Sequence, residues 1–159
     1  MESGVVDLNT GSIILDGLTL TIGMNFDEIQ SIFYKYIKSK SNYKNKEGQE
    51  CMIVCFFDYP IYTIPAEVRI YFHNNVSYKI YISYDSNELD LNSTTKTQLE
   101  IYKEKVKHTA KIIKEQVAKQ YNIKNNEHLT FWLEHNDITF CSYINKDCTE
   151  CSIRLEKEE

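Results

Sequence analysis

The residues best suited to chemistry in this chain are its five cysteines and four histidines. Cys148 and Cys151 are separated by two residues, which is the spacing of a zinc knuckle or a redox pair. A structural zinc site needs further ligands, and the sequence offers no second pair with that spacing. Because the cysteine count is odd and no secretory leader is evident, we predict reduced, buried or half-buried thiols. Zinc binding and thiol redox chemistry remain the alternatives for this pair.

The histidines predict no catalytic centre. His73 and His135 fall in predicted turns, and His108 falls on the solvent side of a predicted helix. The sequence has no His-Glu-x-x-His motif, no glycine-rich phosphate loop and no nucleophile elbow. A Cys141–His128 pair across neighbouring strands is geometrically possible, although such pairs often arise by chance. We therefore expect a protein that is not an enzyme, with no catalytic residues, no metal site and no cofactor.

The aromatic residues are more informative than the candidate nucleophiles. Twelve tyrosines are more than the core of a 159-residue chain requires. Arg69, Tyr71, Lys79 and Tyr81 share the predicted outer face of one hairpin, and such side chains are enriched at binding hot spots. The alternative is that tyrosine simply has a high β propensity and tolerates water. These four residues are our candidates for a partner-binding surface.

Composition narrows the class of protein further. The apolar and charged fractions, 42% and 26%, with only two prolines, indicate one globular domain over residues 1–159. A formal charge of −5 repels nucleic acid, despite local lysine clusters. No apolar stretch approaches the roughly 18–20 residues that span a bilayer. We expect a cytoplasmic protein that binds neither nucleic acid nor membrane.

The first half of the chain predicts a hairpin and a helix. Residues 12–22 alternate around Asp16 and Gly17, a pair that suits a two-residue type I′ turn. Asn25 can cap a helix over residues 26–39, which carries an apolar stripe and a capping box.

The rest of the chain predicts a second hairpin, a second helix and further strands. Residues 39–49 are polar and predict a surface loop. In the hairpin formed by strands 67–72 and 76–84, a loop of odd length pairs the apolar residues, so we prefer it to a two-residue loop. The remaining predicted elements are strands 50–57, 129–133, 138–144 and 151–155, a polar connection over 85–94, and a helix from Thr95 or Thr97 to about Tyr121.

This order of elements predicts an α+β fold. Strands joined mostly by hairpins give a mainly antiparallel sheet, and we expect the two helices to pack on one of its faces. The opposite face, with its tyrosines, would then be open to a partner.

Residues 23–29, which open a helix directly after a hairpin, resemble the start of the helix–strand units of β-lactamase-inhibitor-like proteins. The strand containing Trp132, followed by two further strands, resembles the element order of small bacterial immunity-type proteins that neutralise toxins. The resemblance covers most of the chain as element order but about seven residues as motif. It implies an inhibitory protein–protein interaction and assigns no functional residue.

We therefore predict a non-catalytic protein-binding module, monomeric or homodimeric, of the bacterial immunity or inhibitor type. The alternative is a small-ligand or zinc-binding protein that uses the helix–sheet crevice or Cys148 and Cys151. A hydrolase would require a pocket that holds a histidine beside a carboxylate or cysteine.

Overall fold

A computed structural model of the chain describes residues 3–84, 95–123 and 128–157. The helices in these residues are α1 (Phe26–Phe33) and α2 (Lys96–Ala118). The strands are β1 (Val5–Asp7), β2 (Ser12–Leu15), β3 (Leu18–Thr21), β4 (Ile37–Lys44), β5 (Glu50–Phe56), β6 (Tyr59–Ile61), β7 (Ile64–His73), β8 (Val76–Ser83), β9 (Phe131–His135), β10 (Ile138–Ile144) and β11 (Cys151–Lys157). The predicted polar connection over 85–94 lies outside the described residues.

The strands form two antiparallel sheets. The smaller sheet has the order β1-β2-β3, and the larger has the order β4-β5-β7-β8-β11-β10-β9, with β6 paired to β7. All strand pairs within them are antiparallel. The predicted α+β class with a mainly antiparallel sheet is confirmed, whereas the separate smaller sheet was not predicted.

One face of the larger sheet carries the hydrophobic core. Val54, Ile70, Ile80 and Ile153 are fully buried there, and the buried residues of both helices belong to the same apolar cluster. The ring of Phe33 in α1 lies 5.7 Å from that of a phenylalanine on the same face of β5. The placement of both helices on one face stays a prediction, and we call the side of the sheet that points away from this core the outer face.

The first hairpin and both helix starts are as predicted. Asp16 and Gly17 have φ values of 51° and 76°, which the two-residue turn requires. Asn25 and Thr95 each cap a helix through a complete capping box. Among the described residues, no helix is long and apolar enough to cross a membrane.

The predicted end of the first helix is wrong. α1 stops at Phe33, and most of the segment expected to form a polar loop is strand β4, with Ser39 beside Cys55 and Tyr43 beside Cys51. β4 is the outermost strand of the larger sheet, so its side chains stay exposed. Hydrogen bonds to β5 stabilise it without an apolar pattern, which is why the sequence gives little sign of it.

The second hairpin reaches the expected pairing by a different route. Asn74 and Asn75 both have positive φ (50° and 65°) in a two-residue loop, so the predicted odd-length loop is wrong. A bulge at Tyr78 supplies the extra residue, and Ile70 therefore lies beside Ile80 as the buried face requires. The buried face requires the register in which Ile70 lies beside Ile80. A two-residue loop alone does not give this register, and the bulge supplies the extra residue that restores it.

Candidate functional site

The four predicted partner-binding residues lie together on the outer face. Arg69 lies directly across from Tyr81, and Tyr71 lies across from Lys79. The ammonium of Lys79 is 4.3 Å from the centre of the Tyr71 ring, a cation–π distance. The structure therefore brings the four side chains into one patch.

The registers of six adjacent strands align a single row of residues across this face. We call it the arginine row, and its members, in order from β5 to β9, are Cys55, Arg69, Tyr81, Arg154, Cys141 and Trp132. The row contains both arginines of the sequence. Neighbouring strands lie about 4.8 Å apart, so the backbones that carry the two arginines are separated by about 10 Å, with Tyr81 between them.

Each arginine of the row is held by a glutamate of its own strand. Arg69 Nε contacts Glu67 Oε1, and Arg154 Nε lies 3.6 Å from Glu156 Oε2. The hydrogen bond that Arg69 donates to the Glu67 carboxylate is the main reason that the pKa of Arg69 is raised. Exposed pairs of this kind add little to stability, but they orient the guanidinium. A guanidinium carries five donors, so one carboxylate does not exhaust it.

A tyrosine cluster adjoins one end of the arginine row. The Tyr71 and Tyr78 rings lie 6.4 Å apart, and Tyr43 on β4 is 41% exposed. Burial raises the pKa of both Tyr43 and Tyr78. Their hydroxyl groups therefore stay protonated at neutral pH.

Sequence reasoning missed the half of the arginine row that lies on the last three strands. Arg154 is not among the residues predicted to bind a partner. It lies between the apolar residues Ile153 and Leu155, which are buried, and this alternation is the signal that assigns Arg154 to the opposite face. Trp132 is 67% exposed and Tyr143 is 46% exposed. Their place beside the predicted patch depends on the pairing of β11 with β8, which no local pattern specifies.

The structure assembles no catalytic group from the predicted dyad. Cys141 pairs with Trp132 and Arg154, so the Cys141–His128 pair is not formed. Burial raises the pKa of the Cys141 thiol, which keeps it protonated at neutral pH. His73 is half-buried across from Cys51, and its Nε2 atom has no hydrogen-bond partner among the described residues.

The second chemical candidate, the pair Cys148 and Cys151, is split between two environments. Cys151 is buried at the start of β11, whereas Cys148 is half-buried in the preceding loop with a φ of 57°. Within residues 3–84, 95–123 and 128–157, no three His, Cys, Asp or Glu side chains gather as metal ligands. The zinc alternative therefore gains no support from this part of the chain.

A crevice opens between β9 and the segment after α2. Its volume is about 1060 Å³. Its lining residues are Asn122, Ile123, His128, Leu129, Thr130, Phe131, Trp132, Leu133, Glu134 and Ile144. The described lining is mostly apolar, and His128 and Glu134 are the titratable groups in it.

Comparisons with protein-family models, with curated proteins and with solved structures find no match for this chain. The resemblance to inhibitor-like and immunity-type proteins therefore stays a prediction.

Proposed function

We propose that this chain is a non-catalytic protein-binding module that docks a folded protein through the outer face of its larger sheet. The arginine row is the observation that carries the proposal. It places two guanidinium groups, a tyrosine and an exposed tryptophan in one line, and these are the side chains that most often dominate binding energy.

The exposure of the outer face supports this role. The side chains of Arg69 and Arg154 are 44% and 51% exposed, and Trp132 is 67% exposed. Solvation alone does not require arginine and aromatic side chains to be aligned across neighbouring strands, as they are in the arginine row. Broad aromatic area with directed donors at its edges suits a protein surface better than a small molecule.

The charges of this face specify the kind of partner surface. Arg69 and Arg154 are each balanced by a glutamate, so the row carries donors but little net charge. We infer that the partner presents carboxylate or carbonyl oxygens about 10 Å apart, opposite the two guanidinium groups, with an apolar patch between them. An immunity or inhibitor protein that covers a toxin or enzyme surface is the form of this function that we favour.

The test is affinity capture from the native lysate, identification of the captured protein, and titration of the purified partner against variants. We expect Tyr71→Ala combined with Tyr81→Ala to weaken binding by at least about 30-fold, because hot-spot truncations cost about 2 kcal/mol or more. Arg154→Ala should act in the same direction. Circular dichroism establishes that each variant is folded.

Tyr34→Ala is the matched control, since Tyr34 is 63% exposed but belongs to the C-terminal cap of α1. It should leave the affinity unchanged. If the folded outer-face variants bind the partner with the same affinity as the native chain, the outer face is not the binding surface.

The crevice beside β9 favours a second candidate function, the binding of a small apolar ligand. Its volume suits such a molecule, and His128 and Glu134 could orient a polar end. Native mass spectrometry of protein purified without denaturation tests this. A stoichiometric bound molecule that is lost in Leu133→Gln would support it, whereas its absence from the native protein would count against it.

A further inference from the structure

The two edges of the larger sheet are protected to different degrees. β4 carries Lys38, Lys40 and Lys44, and charged residues of this kind prevent another strand from pairing with an edge. β9, at the opposite edge, has the sequence Phe-Trp-Leu-Glu-His without lysine or proline. Its Trp132 is the most exposed large apolar side chain among the described residues. Among the described residues, one edge is protected by charge and the other has no strand or charged cluster beside it.

The hairpin register shows which backbone groups of β9 point outward. His135 and Ile138 flank the two-residue loop, so they form a hydrogen-bonded pair. Hydrogen-bonded and non-hydrogen-bonded pairs alternate along an antiparallel ladder. Trp132 and Glu134 therefore direct their N–H and C=O groups away from β10, and no described strand lies beyond them.

These outward groups are self-complementary. Because Trp132 and Glu134 lie symmetrically about Leu133, a second β9 can pair with the first, antiparallel, about a two-fold axis through Leu133. Trp132 of each copy then lies beside Glu134 of the other, and all four outward groups of each strand are used. No like charges face each other across the pair, whereas a register centred on Glu134 would oppose two carboxylates.

The side chains also favour a second copy. The two Leu133 side chains would meet on the covered side of the sheet, at the apolar crevice lined by Leu129 and Phe131. The two crevices would then adjoin across the axis. On the outer face, each Trp132 would become partly covered.

We propose that β9 is a homodimerisation edge, at which two copies of this chain join their larger sheets through antiparallel β9–β9 pairing. The contact is short, so it lies at the weak end of specific interfaces, with a dissociation constant on the order of 10–100 µM. The pairing would place two arginine rows end to end on one continuous surface. It does not depend on the protein-binding role proposed for the outer face.

Sedimentation velocity of the full chain from about 1 to 500 µM, a range that brackets this constant, tests the proposal. We expect the apparent mass to rise from that of a monomer towards that of a dimer across the series. Trp132 is the only tryptophan in the sequence, so its fluorescence reports on this edge alone. Its emission maximum should shift to shorter wavelength over the same concentrations.

Glu134→Pro removes one outward N–H group without removing a bond to β10, and it should keep the chain monomeric. Glu134→Ala keeps that N–H group and should still dimerise. Asn42→Pro makes the same change at an outward position of β4 and should also still dimerise. A native chain that is monomeric at every concentration would overturn the proposal, whether or not Glu134→Pro folds. Dimerisation of folded Glu134→Pro, or growth beyond a dimer, would also overturn it.

Discussion

Removal of one buried hydroxyl group tests how the smaller sheet is joined to the larger one. Tyr62 lies between β6 and β7 with 4% of its surface exposed, and its hydroxyl oxygen accepts a hydrogen bond from the N–H group of Val6 in β1 at 3.2 Å. Tyr62→Phe keeps the ring but leaves that buried N–H group without an acceptor. Unsatisfied buried donors cost about 1–3 kcal/mol, so we expect a loss of this size in the free energy of unfolding at pH 7.

The Tyr62 hydroxyl group also makes the stability difference between the native chain and Tyr62→Phe depend on pH. Burial raises the pKa of Tyr62 from 10.0 to about 12, because the phenolate is poorly solvated there. A raised pKa stabilises the fold fully below pH 10, and this contribution is lost as the pH rises towards 12. Two pH units correspond to about 2.7 kcal/mol. The stability curves of the native chain and Tyr62→Phe should therefore converge near pH 12.

Urea denaturation at a series of pH values, followed by Trp132 fluorescence and circular dichroism, measures both effects. Other tyrosines titrate in both proteins, so their contributions cancel in the difference between the curves. Tyr34→Phe, at a side chain that is 63% exposed, is the control and should change stability by less than about 0.5 kcal/mol. Equal stability of Tyr62→Phe and the native chain at pH 7, or parallel pH curves, would refute this reasoning.

Two further perturbations probe other contacts of the smaller sheet. The Asp16 carboxylate accepts hydrogen bonds from Tyr36 at 2.7 Å and Tyr59 at 2.6 Å, and these bonds lower the pKa of Asp16. The ionised carboxylate therefore stabilises the fold, and this contribution should disappear as the pH falls below 3.8. Asp16→Asn should lack that acid-dependent loss in a comparison of melting temperatures from neutral to acidic pH, and an unchanged acid profile would contradict the assignment. Gly4→Ala would place a Cβ atom 2.5 Å from Ile61 Cδ1, so thermal denaturation should show a loss of about 1–3 kcal/mol; native-like stability would show that the contact relaxes.

Local patterns in the sequence specify the elements that depend on neighbouring residues. The Asp16–Gly17 turn, the capping boxes at Asn25 and Thr95 and the apolar stripe of α2 all follow from interactions within a few residues. The predicted patch of Arg69, Tyr71, Lys79 and Tyr81 was likewise recognisable, because alternation within one hairpin assigns side chains to faces.

Long-range pairing decided the remaining features. β4 is a strand because β5 offers it hydrogen bonds, although its own residues predict a loop. The bulge at Tyr78 exists because a buried face must keep its register when the loop has two residues. Arg154 and Trp132 complete the arginine row only because β11 pairs with β8, about 70 residues earlier in the sequence.

The residue types, turns and helix starts were thus properties of the sequence alone, whereas the arginine row and the place of β9 at the end of the strand order are products of tertiary structure. The physical reason is the range of the interactions. Turns and caps form between neighbours in the chain, but a strand order is chosen by the burial of a whole sheet face, to which every strand contributes.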